Sequence, residues 1–223
     1  AHMSHEIRTP INTILGMNEL ISREAQNLNV LEYSNNIKSE GKTLLSLIND
    51  LLDFSKIESG KMELMEVDYE TSSLIHELEV NYSVKAEEKG LEFVMELEED
   101  LPAVLYGDER RMKQVISNLL SNAIKYTERG KVCLAIKWKL ADDKKAELEI
   151  TVRDTGIGMH KEDIDSIFEK FSRFDSVRNT GVEGGGLGMN ITAQWLEMMN
   201  GKIEIKREYG IGSEFIVKIP QLI

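Results

Sequence analysis

The stretch Ala146-Glu-Leu-Glu-Ile150-Thr-Val-Arg-Asp154-Thr-Gly156-Ile-Gly158-Met159 decides how this chain folds. Its first part alternates. Ala146, Leu148, Ile150 and Val152 fall on one side, and Glu147, Glu149, Thr151 and Arg153 on the other. That is the period of a half-buried β-strand. The same period carries Asp154 onto the apolar side. A carboxylate in that phase needs hydrogen-bond donors around it. Gly156 and Gly158 follow at once and let a flat ligand approach the backbone. An exocyclic amine, such as that of adenine, would satisfy Asp154. A plain turn after the strand is the other reading, and spacing alone leaves both open.

Upstream, Asp108 can cap a helix running to about Glu128. Met112, Val115, Ile116, Leu119, Leu120, Ala123 and Ile124 form its apolar face. Arg111, Asn118, Asn122 and Lys125 follow one another at intervals of 7, 4 and 3, along one polar stripe. Asparagine is a poor helix former, so two of them one turn apart cost stability. Their oxygens are hard ligands suited to Mg²⁺, which binds together with substrate phosphates. Lys125 can offset phosphate charge. A solvated helix face is the alternative.

The surrounding pattern alternates strand and helix. Met62–Tyr69 reads as a short strand, and Thr71–Lys89 as a helix capped by Thr71 or Ser72. Leu91–Leu97, Val132–Leu140, Gly201–Arg207 and Ser213–Ile219 read as further strands. Glu162–Phe168 and Leu187–Asn200 read as helices, with a polar, Gly-rich loop over Phe171–Gly186 between them. This order points to an α+β layer sandwich, a mixed sheet with helices on one side. The glycines before Leu187 would expose backbone N–H groups able to hold phosphate oxygens, or would act as a hinge, or both.

Residues 4–58 differ. Ile7, Ile11, Ile14, Asn18 and Ile21 repeat in a heptad-like stripe, and Ile37, Leu44, Ile48 and Leu51 form a second one. Arg23–Asn29 separates them, so an antiparallel helical hairpin is expected. One hairpin has too little surface to bury both stripes. Dimerisation into a four-helix bundle solves this; packing on the rest of the chain is the alternative. Ser59-Gly60-Lys61 breaks the second helix, giving domains at 1–59 and 60–223. His5 lies off the apolar stripe, one turn before Pro10, which removes a helix hydrogen bond. An exposed imidazole is a competent nucleophile near neutral pH. It is also common surface, so that reading stays open too.

Composition narrows the classes. The chain has 223 residues, 39 acidic and 27 basic, for a net charge of −12. Such acidity disfavours nucleic-acid binding. One cysteine cannot form an internal disulfide, which points to a reducing compartment. No run approaches the ~18 apolar residues of a membrane span. No signal peptide is expected, and Ala1-His2-Met3 reads equally as native sequence or a cloning scar. Gly41-Lys42-Thr43 imitates the end of a P-loop but has Asn36 where the first glycine belongs. Gly184–Met189 lacks the last glycine of a dinucleotide fingerprint. The four histidines are scattered, and Cys133 reads as a small core residue.

Taken together, the motifs resemble the sensor histidine kinases of two-component signalling over nearly the whole chain. Ser4-His5-Glu6-Ile7-Arg8-Thr9-Pro10 is similar to the phosphoacceptor box, and Asn118-Leu-Leu-Ser-Asn122-Ala-Ile-Lys125-Tyr126 to the N box. Asp154-Thr-Gly156-Ile-Gly158 resembles the first Gly box, Phe168-Glu-Lys-Phe171 the F box, and Gly184-Gly-Gly186-Leu187-Gly188 the second Gly box. Gly210-Ile-Gly212-Ser213-Glu-Phe215 to Pro220 resembles the closing hairpin.

The resemblance implies a dimerisation and phosphotransfer hairpin followed by a Bergerat-type (GHKL) ATP-binding domain. His5 would accept the γ-phosphoryl group of ATP, Glu6 would act as base, and Thr9 would position water for dephosphorylating a partner. Asn122, with Asn118, would hold Mg²⁺. Lys125 and Tyr126 would line the nucleotide pocket, and Asp154 would bind adenine beside Gly156, Gly158 and Ser213. Gly184, Gly186, Leu187 and Gly188 would bracket the phosphates, with Arg173 in a lid. The implied partners are a response-regulator receiver domain and a second copy. The family's first helix extends several turns upstream of its histidine, so this chain is expected to dimerise or autophosphorylate weakly. It is expected to be the cytoplasmic portion of a membrane-anchored protein. A nucleotide-binding regulatory module without kinase activity and a predominantly phosphatase role are the competing functions.

Overall fold

The computed structural model describes residues 2–142, 144–159 and 188–223, with backbone only for 2–6, 207 and 208. The chain divides into two compact units, Ala1–Met62 and Glu63–Ile223.

The first unit is a hairpin of α1 (His2–Glu24) and α2 (Leu28–Glu58). Asn27 caps α2 by accepting from the Asn29 N–H at 2.9 Å, which explains the break in the heptad pattern. The helix α1 continues through Pro10. Arg8 donates to Asn49 at 2.8 Å, and Asn18 donates to the Ser34 carbonyl at 2.7 Å, so the helices run antiparallel. A Cβ at Gly41 would stand 2.6 Å from Leu15, so glycine permits close approach there. Ile11 and Asn18 are buried within the hairpin, whereas Ile7, Ile14, Ile21, Ile37, Leu44 and Leu51 stay 42–56% exposed. These six recur every seventh residue and leave an apolar seam uncovered.

The second unit is a seven-stranded sheet with helices against one face. Its elements are β1 (Val67–Glu70), α3 (Thr71–Glu88), β2 (Glu92–Leu97), β3 (Val104–Gly107) and α4 (Glu109–Tyr126). They continue with β4 (Lys131–Asp142), β5 (Lys145–Asp154), α5 (Gly188–Met198), β6 (Lys202–Glu208) and β7 (Gly212–Leu222). The strand order is β1-β3-β7-β5-β4-β2, with β6 on β7. Only the β2–β4 pair is parallel among the described strands. The alternation of β5 holds: Ala146, Leu148, Ile150 and Val152 are at most 3% exposed. They face the apolar side of α4, whose Met112, Val115, Ile116, Leu119 and Leu120 are at most 1% exposed. Burying each such side chain stabilises by about 1.5–3 kcal/mol. The opposite face carries ion pairs such as Lys139–Glu147 at 2.7 Å and Lys218–Glu204 at 3.3 Å.

Three sequence expectations change. The first strand starts at Val67, because Met62–Glu66 forms no ladder and the Met65 N–H instead donates to Asp108 at 2.8 Å. The α3 N-cap is Glu70, not Thr71 or Ser72; the Thr71 N–H already bonds the Ala103 carbonyl beside the β1–β3 ladder. Strand β3 was not expected, since four residues between a turn and a cap carry little periodicity. The expected helix Glu162–Phe168 and the loop Phe171–Gly186 lie outside the described residues. Among the described residues no helix is long and apolar enough to cross a membrane.

Candidate functional site

The site is built where the end of α4 meets the turn after β5. Asp108 caps the start of α4 by accepting from the Arg111 N–H at 3.0 Å, as expected. A helix ends with four carbonyls lacking helical partners. Here each has one. The Ala123 carbonyl accepts from the Thr127 hydroxyl at 2.7 Å. Lys89 Nζ donates to the Ile124 carbonyl at 2.6 Å and to the Lys125 carbonyl at 2.7 Å. The Tyr126 carbonyl accepts from the Ile157 N–H at 3.3 Å. The last bond ties α4 directly to the Asp154–Gly158 turn.

Glycine is required in that turn for two reasons. A Cβ at Gly156 would stand 2.3 Å from the Tyr126 carbonyl oxygen, so any side chain would push the turn off α4. Gly158 has φ 65°, the left-handed region. From the other side, the tip of the β6–β7 hairpin closes on the same turn: Gly210 N–H donates to the Ile157 carbonyl at 2.8 Å. Gly212 has φ 139° and a Cβ there would lie 1.9 Å from the Asp154 carbonyl oxygen.

Asp154 sits half-buried between Val132 and Ser213, its register partners on β4 and β7. Burial pushes its carboxyl above the ordinary range; the Gly156 N–H, 2.9 Å from Oδ1, and the N–H and hydroxyl of Ser213 pull it back. The group is thus pre-positioned by protein donors and retains acceptor capacity, since a carboxylate offers about four lone-pair sites.

The polar stripe of α4 divides. Asn122 and Lys125 are half-buried, with Lys125 Nζ 5.1 Å from the Tyr126 ring centre. Asn118 donates from Nδ2 to the Thr192 hydroxyl of α5 at 2.6 Å and lies against Gly188. Arg111 does not join the stripe. It is 7% exposed, stacks 3.8 Å from the Trp195 ring centre and donates to Gln114 at 2.7 Å. An aromatic partner on a distant helix was invisible in the α4 sequence.

In the second unit Tyr126, Asp154, Gly156, Gly158 and Ser213 meet around the turn after β5, and Asn118 meets Gly188 and Thr192 of α5, with Asn122 and Lys125 on α4 between Asn118 and Tyr126. Arg173, Gly184, Gly186 and Leu187 lie outside the described residues. His5 and Glu6 belong to α1, their side chains undescribed; Thr9 is exposed on the same helix, its carbonyl accepting from Thr13 Oγ1 at 3.0 Å. Lys89 and Thr192 were missed. Lys89 signalled only a helix end before Gly90, and Thr192 only a small residue on an apolar helix.

A mixed sheet covered on one face, with an acidic residue and a glycine turn docked on the end of an Asn-rich helix, defines a GHKL-type ATPase fold. Residues 107–223 match the family model of the histidine kinase-, DNA gyrase B- and HSP90-like ATPases, and residues 1–60 that of the His Kinase A (phospho-acceptor) domain. With both in tandem, the chain belongs to the sensor histidine kinases. It is 37% identical over 218 residues to the hybrid signal transduction histidine kinase B of Dictyostelium discoideum, covering 98% of this chain and 11% of that protein. It is 36% identical to the autoinducer 2 sensor kinase/phosphatase LuxQ of Vibrio cholerae, covering 99% of this chain and 26% of that protein. The crystal structure of full-length ShkA in complex with AMPPNP superposes with a TM-score of 0.78 at 31% identity, covering 100% of this chain and 45% of that one. The chain spans only about a tenth to a quarter of the length of these curated relatives.

Proposed function

We propose that this chain is the core of an ATP-dependent protein-histidine kinase. Residues 1–59 form the dimerisation and phosphotransfer domain, and residues 60–223 the ATP-binding domain. The observation that carries the reading is the half-buried Asp154, held by Gly156 and Ser213 beside the docked end of α4. It is an acceptor with fixed geometry and a glycine wall, suited to the amino edge of a purine.

Asp154 accepts from the base, and Gly156 lets the base lie against the backbone. Lys125 and Tyr126 flank the nucleotide, and Lys125 offsets phosphate charge. Backbone N–H groups at the start of α5, with Gly184, Gly186, Leu187 and Gly188, hold phosphate oxygens, and Arg173 belongs to the same nucleotide site. Among the described residues no cluster of three His, Cys, Asp or Glu could hold a metal. The side-chain amide oxygens of Asn122 and Asn118 are hard donors of the kind that suit Mg²⁺, which takes few protein oxygens and the rest from phosphates and water. Asn122, with Asn118, would hold it, and it would neutralise charge developing on the phosphates.

His5 supplies the nucleophile. Its imidazole nitrogen attacks the γ-phosphorus, the bond to the ADP oxygen breaks, and Glu6 takes the imidazole proton. Such transfer depends mostly on positioning and electrostatics. The phosphoryl group then passes to a receiver-domain aspartate of a response regulator. Thr9 positions water when the phosphorylated regulator is hydrolysed, a role consistent with the kinase/phosphatase name of LuxQ. The exposed seam on α1 and α2 supports pairing with a second copy. We read the chain as the cytoplasmic part of a longer, membrane-anchored sensor.

The test is incubation with γ-labelled ATP and Mg²⁺. The label should be acid-labile and base-stable, and His5→Gln should abolish it while ATP binding persists. Label that survives in His5→Gln removes the assignment. ATP binding with no label on wild type would favour a regulatory module instead.

A further inference from the structure

Gly188 and Thr192 lie one turn apart on α5, on the face that meets α4. Asn118 sits between them. Its Nδ2 donates to the Thr192 hydroxyl at 2.6 Å, a contact spanning 74 residues of sequence. A Cβ at Gly188 would stand 2.6 Å from Asn118 Oδ1, 2.9 Å from Nδ2 and 3.1 Å from Cγ. The amide group therefore fills the space that a side chain at Gly188 would take, with Oδ1 nearest. Gly188 shows no positive φ, so freedom of the backbone is not what this position requires. Space is. Thr192 is 1% exposed, so water does not compete for its hydroxyl.

An asparagine amide has two chemically opposite ends, and a hydrogen-bond partner decides which faces where. The Thr192 hydroxyl accepts from Nδ2, so Oδ1 is turned toward the N-terminal end of α5 at Gly188. We infer that Gly188 and Thr192 are positioning residues that lock the Asn118 amide with its oxygen facing the phosphate end of the nucleotide site. The missing side chain of Gly188 then serves Asn118, while its backbone N–H remains for the phosphates. This rests on the reading of the second unit as an ATP site.

The role has a signature that general packing lacks: Thr192 acts only through Asn118. A fluorescent ATP analogue is titrated into the full chain with Mg²⁺, using wild type, Asn118→Ala, Thr192→Val, Thr192→Ser and the Asn118→Ala/Thr192→Val double variant. We expect Asn118→Ala and Thr192→Val each to weaken binding roughly tenfold, the scale of one lost hydrogen bond to a liganding group. The double variant should be no weaker than Asn118→Ala alone, and Thr192→Ser should bind within about twofold of wild type, because its hydroxyl still accepts. Additive losses in the double variant, or unchanged binding by Thr192→Val, overturn the inference and leave the ATP site standing. Failure of wild type to bind removes both. A second readout needs no nucleotide. The Asn118 side-chain amide protons should exchange slowly with water in wild type and in Thr192→Ser, and rapidly in Thr192→Val; rapid exchange in wild type also overturns the inference.

Discussion

Asp154 is a position whose burial opposes stability and to which the proposed function gives a part in binding. Burial raises its carboxyl above its unfolded value, so the folded state holds the proton more tightly than the unfolded chain. Its contribution to stability is complete below the unfolded value and is lost as pH rises through the folded one. At neutral pH the ionised form is a cost. Asp154→Asn should therefore leave the melting temperature of the nucleotide-free chain unchanged or raised, while ATP affinity falls by about a hundredfold through loss of a charge-assisted bond. Calorimetric titration and thermal melts check both halves. Asp50 on α2 offers a second case. Burial, and then the neighbouring Asp53, push it from 3.8 to about 6. Its stabilisation is lost as pH rises through about 6. Carboxyl NMR shifts should show Asp50 titrating near that value, and Asp50→Asn should flatten the stability slope between about pH 4 and 6. A midpoint near 4 would mean the group is solvated.

At the scale of elements, the end of α4 matters most. Lys89 places a cation on two carbonyls at the negative end of the helix. Lys89→Met should cost about 1–2 kcal/mol, measured by denaturant unfolding, because charge-assisted bonds exceed neutral ones and water replaces them only partly. Amide exchange should rise in the last turn of α4 and not at Met112 or Val115. Gly156→Ala should be worse, because the obstruction is backbone at 2.3 Å rather than a movable side chain. The hairpin carries a contrasting device. Asn18 is 3% exposed at a heptad position and is joined reciprocally to Ser34. A polar pair there holds helix register at some expense in stability.

At the scale of the molecule, the charge of −12 meets a polyanionic ligand. The site must supply local positive potential against the global field. Nucleotide affinity should accordingly fall by at least about tenfold when EDTA removes Mg²⁺; unchanged affinity would contradict this electrostatic account. The uncovered seam of Ile7, Ile14, Ile21, Ile37, Leu44 and Leu51 leads to another expectation. Ile14→Glu with Leu44→Glu should shift the chain toward monomer in sedimentation, while ATP binding, which belongs to the other unit, stays intact.

Much of this was legible in one dimension. The period of two in Ala146–Asp154, the apolar face of α4 and the heptads of the hairpin each reflect regular geometry that repeats along the chain. Periodicity therefore determined which faces of the second unit are buried and which hairpin residues share a stripe, and it put Asp154 in the buried phase. The motifs in order pointed to the site. The tertiary structure alone decided which atoms meet: Lys89 on the end of α4, Arg111 on Trp195, Ser213 beside Asp154, and Thr192 on Asn118. It also moved the α3 cap to Glu70, because a strand contact had already taken the Thr71 N–H. Those contacts join residues far apart in sequence, and no local period encodes them. They follow from sheet order and helix packing, which place one element's partner groups against another's unsatisfied ones.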